Sequence, residues 1–329
     1  MISAVMMAGY NNKRAVKRYS KIVAEHYGEK FIETGYKPLR EFEAVEDGKR
    51  VSKPVIQFTL EKLFECDLIG EIVIVGHQML LEHRLRKVIA AYDKPCKIIN
   101  QNSAIPKDAI RRFNIIPKKF KHNSLAGNMI KGYRASAAYQ RKEHALFVAS
   151  DSPLTTHQFI EGFIQAAQKH NQASAIIFPA VNIDGKQDKL GRKPLWLIND
   201  TSYTVSGGKD RYGRQGFRLS SLMTADLHRF DVNSANKAYN LRKTLNPKVQ
   251  IRLFKATRGL GYSNVYSKHF IKKNLSITEC GKITSAFFKG KLTLIPMEGQ
   301  NATYDYDGTD REYTGIMDML RNTSHSDED

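Results

Sequence analysis

The stretch Ala145-Leu146-Phe147-Val148-Ala149-Ser150-Asp151-Ser152-Pro153-Leu154 decides how this chain is read. Five apolar residues in a row, without polar alternation, predict a strand buried on both faces, the kind found inside a parallel sheet. The run stops at Ser150-Asp151, and Pro153 turns the backbone. Position at the carboxyl end of such a strand favours Asp151 as a ligand for Mg2+, a hard ion that prefers oxygen. The plainer reading is an aspartate capping the helix that follows.

The same rhythm recurs outward from this strand. Ile2–Met7, Glu71–Val75 (ended by Gly76), Lys97–Asn100 and Ala175–Phe178 are short apolar runs that read as strands. Between them, Pro54–Glu65, His77–Tyr92, Ser124–Arg141 and Thr155–His170 read as helices, with Val55, Phe58, Leu60 and Leu63 near helical spacing and Phe159, Ile160 and Phe163 on one face. Alternation of this kind predicts a Rossmann-like α/β sheet covered by helices on both faces. From about Gln187 the rhythm breaks. Lys186–Trp196 and Ser206–Gly216 read as loops rich in glycine and charge, and Asp231–Lys291 as mostly helical and basic. Leu292–Ile295 is β-compatible and able to rejoin the sheet, and Glu312–Leu320 has helical spacing. The expected organisation is a core over residues 1–185, a basic, mainly helical insertion over 186–291, a returning strand and terminal helix over 292–322, and a disordered acidic tail over 323–329.

A chain of 329 residues with 41% hydrophobic and 10% aromatic content can bury a substantial core, which excludes wholesale disorder. No run approaches the roughly 20 apolar residues that span a bilayer. Met1–Ala8 lacks a basic leader and reads as a buried strand rather than a signal peptide. Three cysteines, Cys66, Cys96 and Cys280, have no metal spacing and make no disulfide framework, which points to a reducing, cytoplasmic setting. The net charge is +19, and it is unevenly spread: nine basic residues and no acid lie between Ala109 and Lys142, and thirteen against Glu279 alone between Asn236 and Lys291. Polarisation of this kind suits polyanionic partners: nucleotides, phosphorylated substrates, nucleic acid or an anionic membrane surface.

Three further constellations lie on expected strand ends or loops. Ala8-Gly9-Tyr10-Asn11-Asn12-Lys13-Arg14 follows the first strand, where free backbone N–H groups and a nearby cation can meet a phosphate chain. It matches neither the Gly-x-x-x-x-Gly-Lys-Ser/Thr loop nor Gly-x-Gly-x-x-Gly. Lys37-Pro38-Leu39 and Lys53-Pro54-Val55-Ile56 each hold a cation on extended chain. Tyr304-Asp305-Tyr306-Asp307-Gly308-Thr309-Asp310 carries two carboxylates at i and i+2, on one side of an extended segment, without the spacing of an EF-hand loop.

In this order the motifs resemble the GT-A-type nucleotidyltransferase superfamily, in particular the group of molybdenum-cofactor guanylyl- and cytidylyltransferases and sugar-phosphate pyrophosphorylases. That family opens with Ala-Gly-Gly-x-Ser-x-Arg, continues through Lys-Pro and Gly-Lys-Pro, places a metal aspartate before Pro-Leu, and has a late Asp-x-Asp-x-x-Asp. The resemblance covers roughly residues 1–180 and 292–320. It departs at Tyr10, in place of the second glycine, at Asn12, in place of Ser or Thr, and in the long spacer Val16–Thr34. The resemblance implies a three-layer fold and transfer of a nucleoside monophosphate from an NTP to a phosphorylated acceptor. Asp151 with Asp305 or Asp307 is then expected to hold Mg2+ or Mn2+. Ala8, Gly9, Tyr10, Asn12 and Lys13, with Arg14, are expected to cradle the β,γ-phosphates, and Lys37 to stabilise charge at the α-phosphate. Gln101, Asn102, Gly127 and Asn128 are the expected readers of the base, and Lys193, Lys209 and Arg211, with Arg214, of the acceptor.

Two other function classes share the same features. A glycosyltransferase could use a carboxylate–metal site with a nucleotide sugar, but would leave the Ala-Gly…Arg…Lys opening without a triphosphate. A binding protein could grip nucleic acid or anionic lipid through Asn236–Lys291, where Tyr239, Phe254, Tyr262, Tyr266, Phe270, Phe287 and Phe288 interleave with the charge. Aromatics at this spacing more often form a core than a stacking platform.

Overall fold

The structure, a computed structural model, describes residues 1–9, 36–46, 48–116, 124–185, 188, 190–236, 264–265, 267–306 and 308–322. Tyr10, Asn12, Lys13, Arg14 and Asp307, the spacer Val16–Thr34, most of the basic stretch after Asn236 and the 323–329 tail lie outside the described residues.

Among the described residues, one nine-stranded sheet forms the middle layer. Its strands are β1 (Ile2–Ala8), β4 (Ile69–Gly76), β5 (Cys96–Asn100), β6 (Ala145–Ala149), β7 (Ile176–Asn182), β8 (Leu195–Leu197), β9 (Gln215–Leu219), β10 (Leu222–Ala225) and β11 (Leu292–Met297). The order is β5-β4-β1-β6-β10-β7-β9-β8, with β11 paired to the other edge of β7. β1 runs parallel to β4 and β6, β4 to β5, and β11 to β7. Their carboxyl ends therefore share one edge of the sheet, where open α/β sheets bind ligands.

The sheet is mixed, not wholly parallel. The chain from Gln215 to Ala225 runs antiparallel to β7, its second half also bonding β6 and its first half β8. β8 thus begins inside the expected loop Lys186–Trp196 and β9 inside Ser206–Gly216, while β10 lies in a stretch where no strand was expected. All three are five residues or shorter, and β9 also carries Gly216 and Arg218, so a period-two signal has too little length to stand out. A separate hairpin, β2 (Glu41–Glu46) with β3 (Lys49–Pro54), was also not expected, because its outer face is charged.

Alternate residues of β1 explain the layers. Ala4 and Met6 face one side with Ile72, Ile74, Leu146 and Val148, covered by α1 (Val55–Glu65), α2 (Gln78–Ala90) and α6 (His157–Gln168). Val5 faces the other with Val73, Val75 and Phe147, under α4 (Leu125–Ala135) and the short α5 (Ala137–Arg141). On the same side, the short α3 (Lys107–Arg112) follows β5. Burying each such Val, Leu, Ile or Phe contributes about 1.5–3 kcal/mol. α4 lies so close to the sheet that a Cβ on Gly132 would collide with Val5 and sit 2.9 Å from Val75 Cγ2. After α7 (Ile277–Phe288) and β11, α8 (Asp310–Asn322) lays Ile316, Met317 and Leu320 against Phe42 and Ala44 of the hairpin.

Candidate active site

The site is built on the carboxyl edge of β1, β5, β6 and β11. Asp151 stands two residues past β6, and its carbonyl oxygen accepts a 2.8 Å bond from Tyr306 N. That bond brings the turn after β11 against the end of the Ala145–Ala149 strand. The Asp151 carboxylate pairs with Lys37 Nζ, both side chains being partly exposed.

Lys37 opens a short 3-10 turn, Lys37–Leu39, whose Pro38 and Leu39 are buried. Tyr36 before it anchors the turn: its hydroxyl donates to Ala8 O and accepts from His77 N at 3.1 Å. One phenol therefore ties Lys37 to the ends of β1 and β4. After the turn, the Arg40 guanidinium sits 4.0 Å from the Tyr313 ring and donates to the Tyr306 hydroxyl. The Tyr306 ring is fully buried, 5.2 Å edge-on to Phe42, with Lys37 Nζ 5.6 Å from its centroid. Lys53, the second Lys-Pro cation, faces elsewhere: it pairs with Glu46 and, at 2.5 Å, with Glu61.

Asp305 is at the same edge but is engaged. Arg192 Nη1 donates to its Oδ1 at 2.7 Å and Arg192 Nη2 to Thr303 O at 2.8 Å. Arg192 Nε is held in turn by Asp188 Oδ2 at 2.9 Å, and the Asp188 side chain is fully buried. Among the described residues, no group of three or more His, Cys, Asp or Glu side chains could hold a metal ion.

Gly9, Gln101 and Asn128 meet on the other side of Asp151. Gly9 is exposed, and a Cβ there would collide with Asn128 Nδ2 and lie 3.1 Å from Gln101 Oε1. Only a residue without a side chain lets those two amides close on the backbone. Gln101 and Asn128 are buried, and Asn128 Oδ1 has no hydrogen-bond partner among the described residues. Gly127 N donates to the Ser124 cap at 3.1 Å, which fixes the first turn of α4. Asn102 is exposed, its N–H donating to Asn100 Oδ1 at 2.9 Å.

Lys193, Lys209 and Arg211 are exposed, the last 4.9 Å from the Tyr212 ring, while Arg214 pairs with Asp210 at 2.6 Å. Beside this loop a cleft of about 160 Å³ opens at the ends of β7 and β11, lined by Asn182, Asp184, Ser206, Glu298 and Gln300 among others. Sequence reasoning missed Tyr36, Arg40, Arg192, Tyr306 and this cleft. Tyr306 sits inside the quoted acidic run, but nothing local marks its ring as buried.

No protein-family model and no curated protein matches this sequence. Among solved structures, a hypothetical transferase from Thermus thermophilus superimposes with a TM-score of 0.54 at 15% identity, over 95% of this chain and 100% of that one. A CMP:2-keto-3-deoxy-manno-octonic acid synthetase complexed with CTP gives 0.49 at 9% identity, over 99% and 98%. A 4-diphosphocytidyl-2C-methyl-D-erythritol synthase from Anaerococcus prevotii gives 0.45 at 12%, over 97% of each chain. The Thermus comparison carries weight, and it concerns architecture. This chain has a Rossmann-like, three-layer α/β fold of that kind. No helix among the described residues is long and apolar enough to cross a membrane.

Proposed function

We propose that the protein is a nucleotidyltransferase that moves a nucleoside monophosphate from an NTP to a phosphorylated acceptor and releases pyrophosphate. The observation that carries this reading is the bond from Tyr306 N to Asp151 O. It sets the Asp305 turn beside Asp151, whose carboxylate separately pairs with Lys37, and a cation and carboxylates side by side suit charge neutralisation at a triphosphate.

In this reaction an acceptor phosphate oxygen attacks the α-phosphorus and the bond to the β-phosphate oxygen breaks. Such transfer needs positioning and charge neutralisation more than covalent help. The Gly9 backbone, flanked by the Asn128 and Gln101 amides, receives the nucleotide, with Ala8, Tyr10, Asn12, Lys13 and Arg14 keeping the phosphate-binding role of the motif. Lys37 leaves Asp151 and takes the α-phosphate, held in place by the Tyr36 anchor. The acceptor approaches from the cleft side, past Lys193, Lys209 and Arg211.

A divalent cation fits the donor chemistry. The Asp151 carboxylate already accepts a cation, the Lys37 ammonium, and carboxylate oxygens are what Mg2+ or Mn2+ prefers. Mg2+ is commonly held by one or two carboxylates, with water and substrate phosphates completing its shell, so Asp151 would hold it with Asp307, or with Asp305 once Arg192 releases that carboxylate. When bound, the ion supplies Lewis-acid neutralisation at the reacting phosphate.

The test is a thermal-shift panel of the four NTPs with Mg2+, since a ligand that binds the folded state raises Tm. Pyrophosphate release is then measured with phosphorylated acceptors. A shift with one NTP and acceptor-dependent pyrophosphate release are expected. No shift with any NTP, or release of nucleoside diphosphate from a nucleotide sugar instead, would overturn the reading.

A further inference from the structure

Helix α4 sets two polar residues one turn apart, Asn128 and Lys131, against the ends of β1 and β5, and the second has no role in the reaction above. Lys131 is only 3% exposed. Its Nζ donates to the carbonyl oxygens of Gln101 and, at 3.3 Å, Ser103. Burial pulls its ammonium down to about 8. Taking a cation out of water costs several kcal/mol unless its environment compensates, and here the two carbonyls do so.

The rest of that turn is already closed. Gln101 N donates to Gly76 O at 2.8 Å, Ser103 N to Asn100 O at 3.1 Å, and Ser103 Oγ to the same oxygen at 2.7 Å. Lys131 takes up two carbonyls that point inward, and so fixes where the Gln101 side chain starts. That side chain and Asn128 are the pair that flank Gly9, and Asn128 Oδ1 is buried without a partner among the described residues. A buried acceptor in that state calls for a donor, and the edge of a nucleobase carries one.

We infer that Lys131 is a positioning residue for the nucleoside: from beneath, it locks the 101–103 turn so that the Gln101 and Asn128 amides meet the edge of the base beside Gly9. The inference rests on the nucleotidyltransferase reading. It deepens that reading by separating recognition of the base from recognition of the phosphates. Lys131 acts on the base side through the turn, whereas the Gly9 loop and Lys37 act on the phosphates.

Two probes separate these contributions: the NTP that shifts the wild-type protein most, and inorganic tripolyphosphate, which has no base. Lys131→Met keeps the length and apolar stem of the side chain and removes its charge and hydrogen bonds. It is expected to weaken NTP binding about tenfold, the loss of one well-placed hydrogen bond, while tripolyphosphate binding stays within about twofold. The preference among the four NTPs is expected to narrow. Equal weakening for both probes, or no change for either in the folded variant, overturns the inference. Lys131→Gln, with one shorter neutral donor, is the second variant should the methionine not fold. It is expected to show the same split to a smaller degree, and a folded glutamine variant without the split overturns the inference too. If wild-type protein bound tripolyphosphate but no NTP, the nucleotide reading itself would fail, a result distinct from either variant outcome.

Discussion

The two walls of the candidate site are built differently. On the β1–β5 side, buried amides crowd an exposed glycine backbone under a helix that touches the sheet: Gln101, Asn128 and Gly132 have no room to move. On the β7–β11 side the lining is open and charged, with Asp184, Glu298, Lys193, Lys209 and Arg211 exposed and the loops held by side-chain bonds such as Ser206 Oγ to Glu298 at 2.9 Å. Asp151 stands between them. A close-packed wall recognises a ligand at fixed distances. An open, charged one steers it and tolerates variety. The contrast matches the proposed division between a nucleotide wall and an acceptor wall.

Substitutions can break or sharpen that contrast. The largest effect is expected at the hinge between the walls. Asp151→Asn should lower turnover by about 10²–10³, the scale for losing one electrostatic stabiliser of the reacting phosphate. Its Tm should stay near wild type, because the Lys37 pair is partly exposed and worth under about 1 kcal/mol. Turnover within a few-fold of wild type would remove Asp151 from the mechanism. Next, Gly9→Ala drives a methyl into the Asn128 amide. A displacement near 1 Å at a reacting site costs on the order of 10²-fold, so steady-state kinetics should show the loss chiefly through the NTP.

Gly132→Ala tests the same wall through stability alone. The added methyl meets Val5 and Val75, and overpacking of this kind costs about 1–3 kcal/mol despite alanine's better helix propensity. A stabilised protein in denaturant melts would show that α4 can lift off the sheet. The smallest effects belong to the open wall. Replacing Lys209 and Arg211 together with alanine should leave stability within about 0.5 kcal/mol. The acceptor KM should rise a few-fold with the NTP KM unchanged, and a rise in the NTP KM instead would reverse the assignment of the two walls.

Lys131 adds a pH signature. Its pKa is lower in the folded protein, about 8, than the usual 10.5. Between those values the unfolded chain binds the extra proton, so this group makes the fold more stable as pH rises. Wild-type protein should therefore gain stability relative to Lys131→Met from about pH 8 to pH 10. A constant difference in chemical denaturation across that range would contradict the burial of the ammonium.

Most of the central sheet was legible. Ala145–Ala149 is found at its expected bounds, and Ile2–Met7, Glu71–Val75 and Leu292–Ile295 fall inside β1, β4 and β11. Strands buried on both faces announce themselves as unbroken apolar runs. β8, β9 and β10 did not, because they are only three to five residues long, β9 with Gly216 and Arg218 in it, and satisfy their backbones through neighbours that no local pattern predicts. The site divided the same way. Gly9, Gln101, Asn128, Lys37 and Asp151 follow or precede recognisable elements, and the structure sets them along one edge. The hold of Arg192 on Asp305 and of Tyr36 on Ala8 links residues far apart in sequence, and only folding reveals such pairings.

One bond has a consequence for folding. Tyr306 closes on Asp151, and Arg321 reaches back to Glu43 at 2.6 Å, so the candidate site and its supporting hairpin depend on contacts that close very long loops of chain. Such loops cost closure entropy before their contacts repay it, so refolding followed at the Tyr306 turn should lag behind that of the local helices.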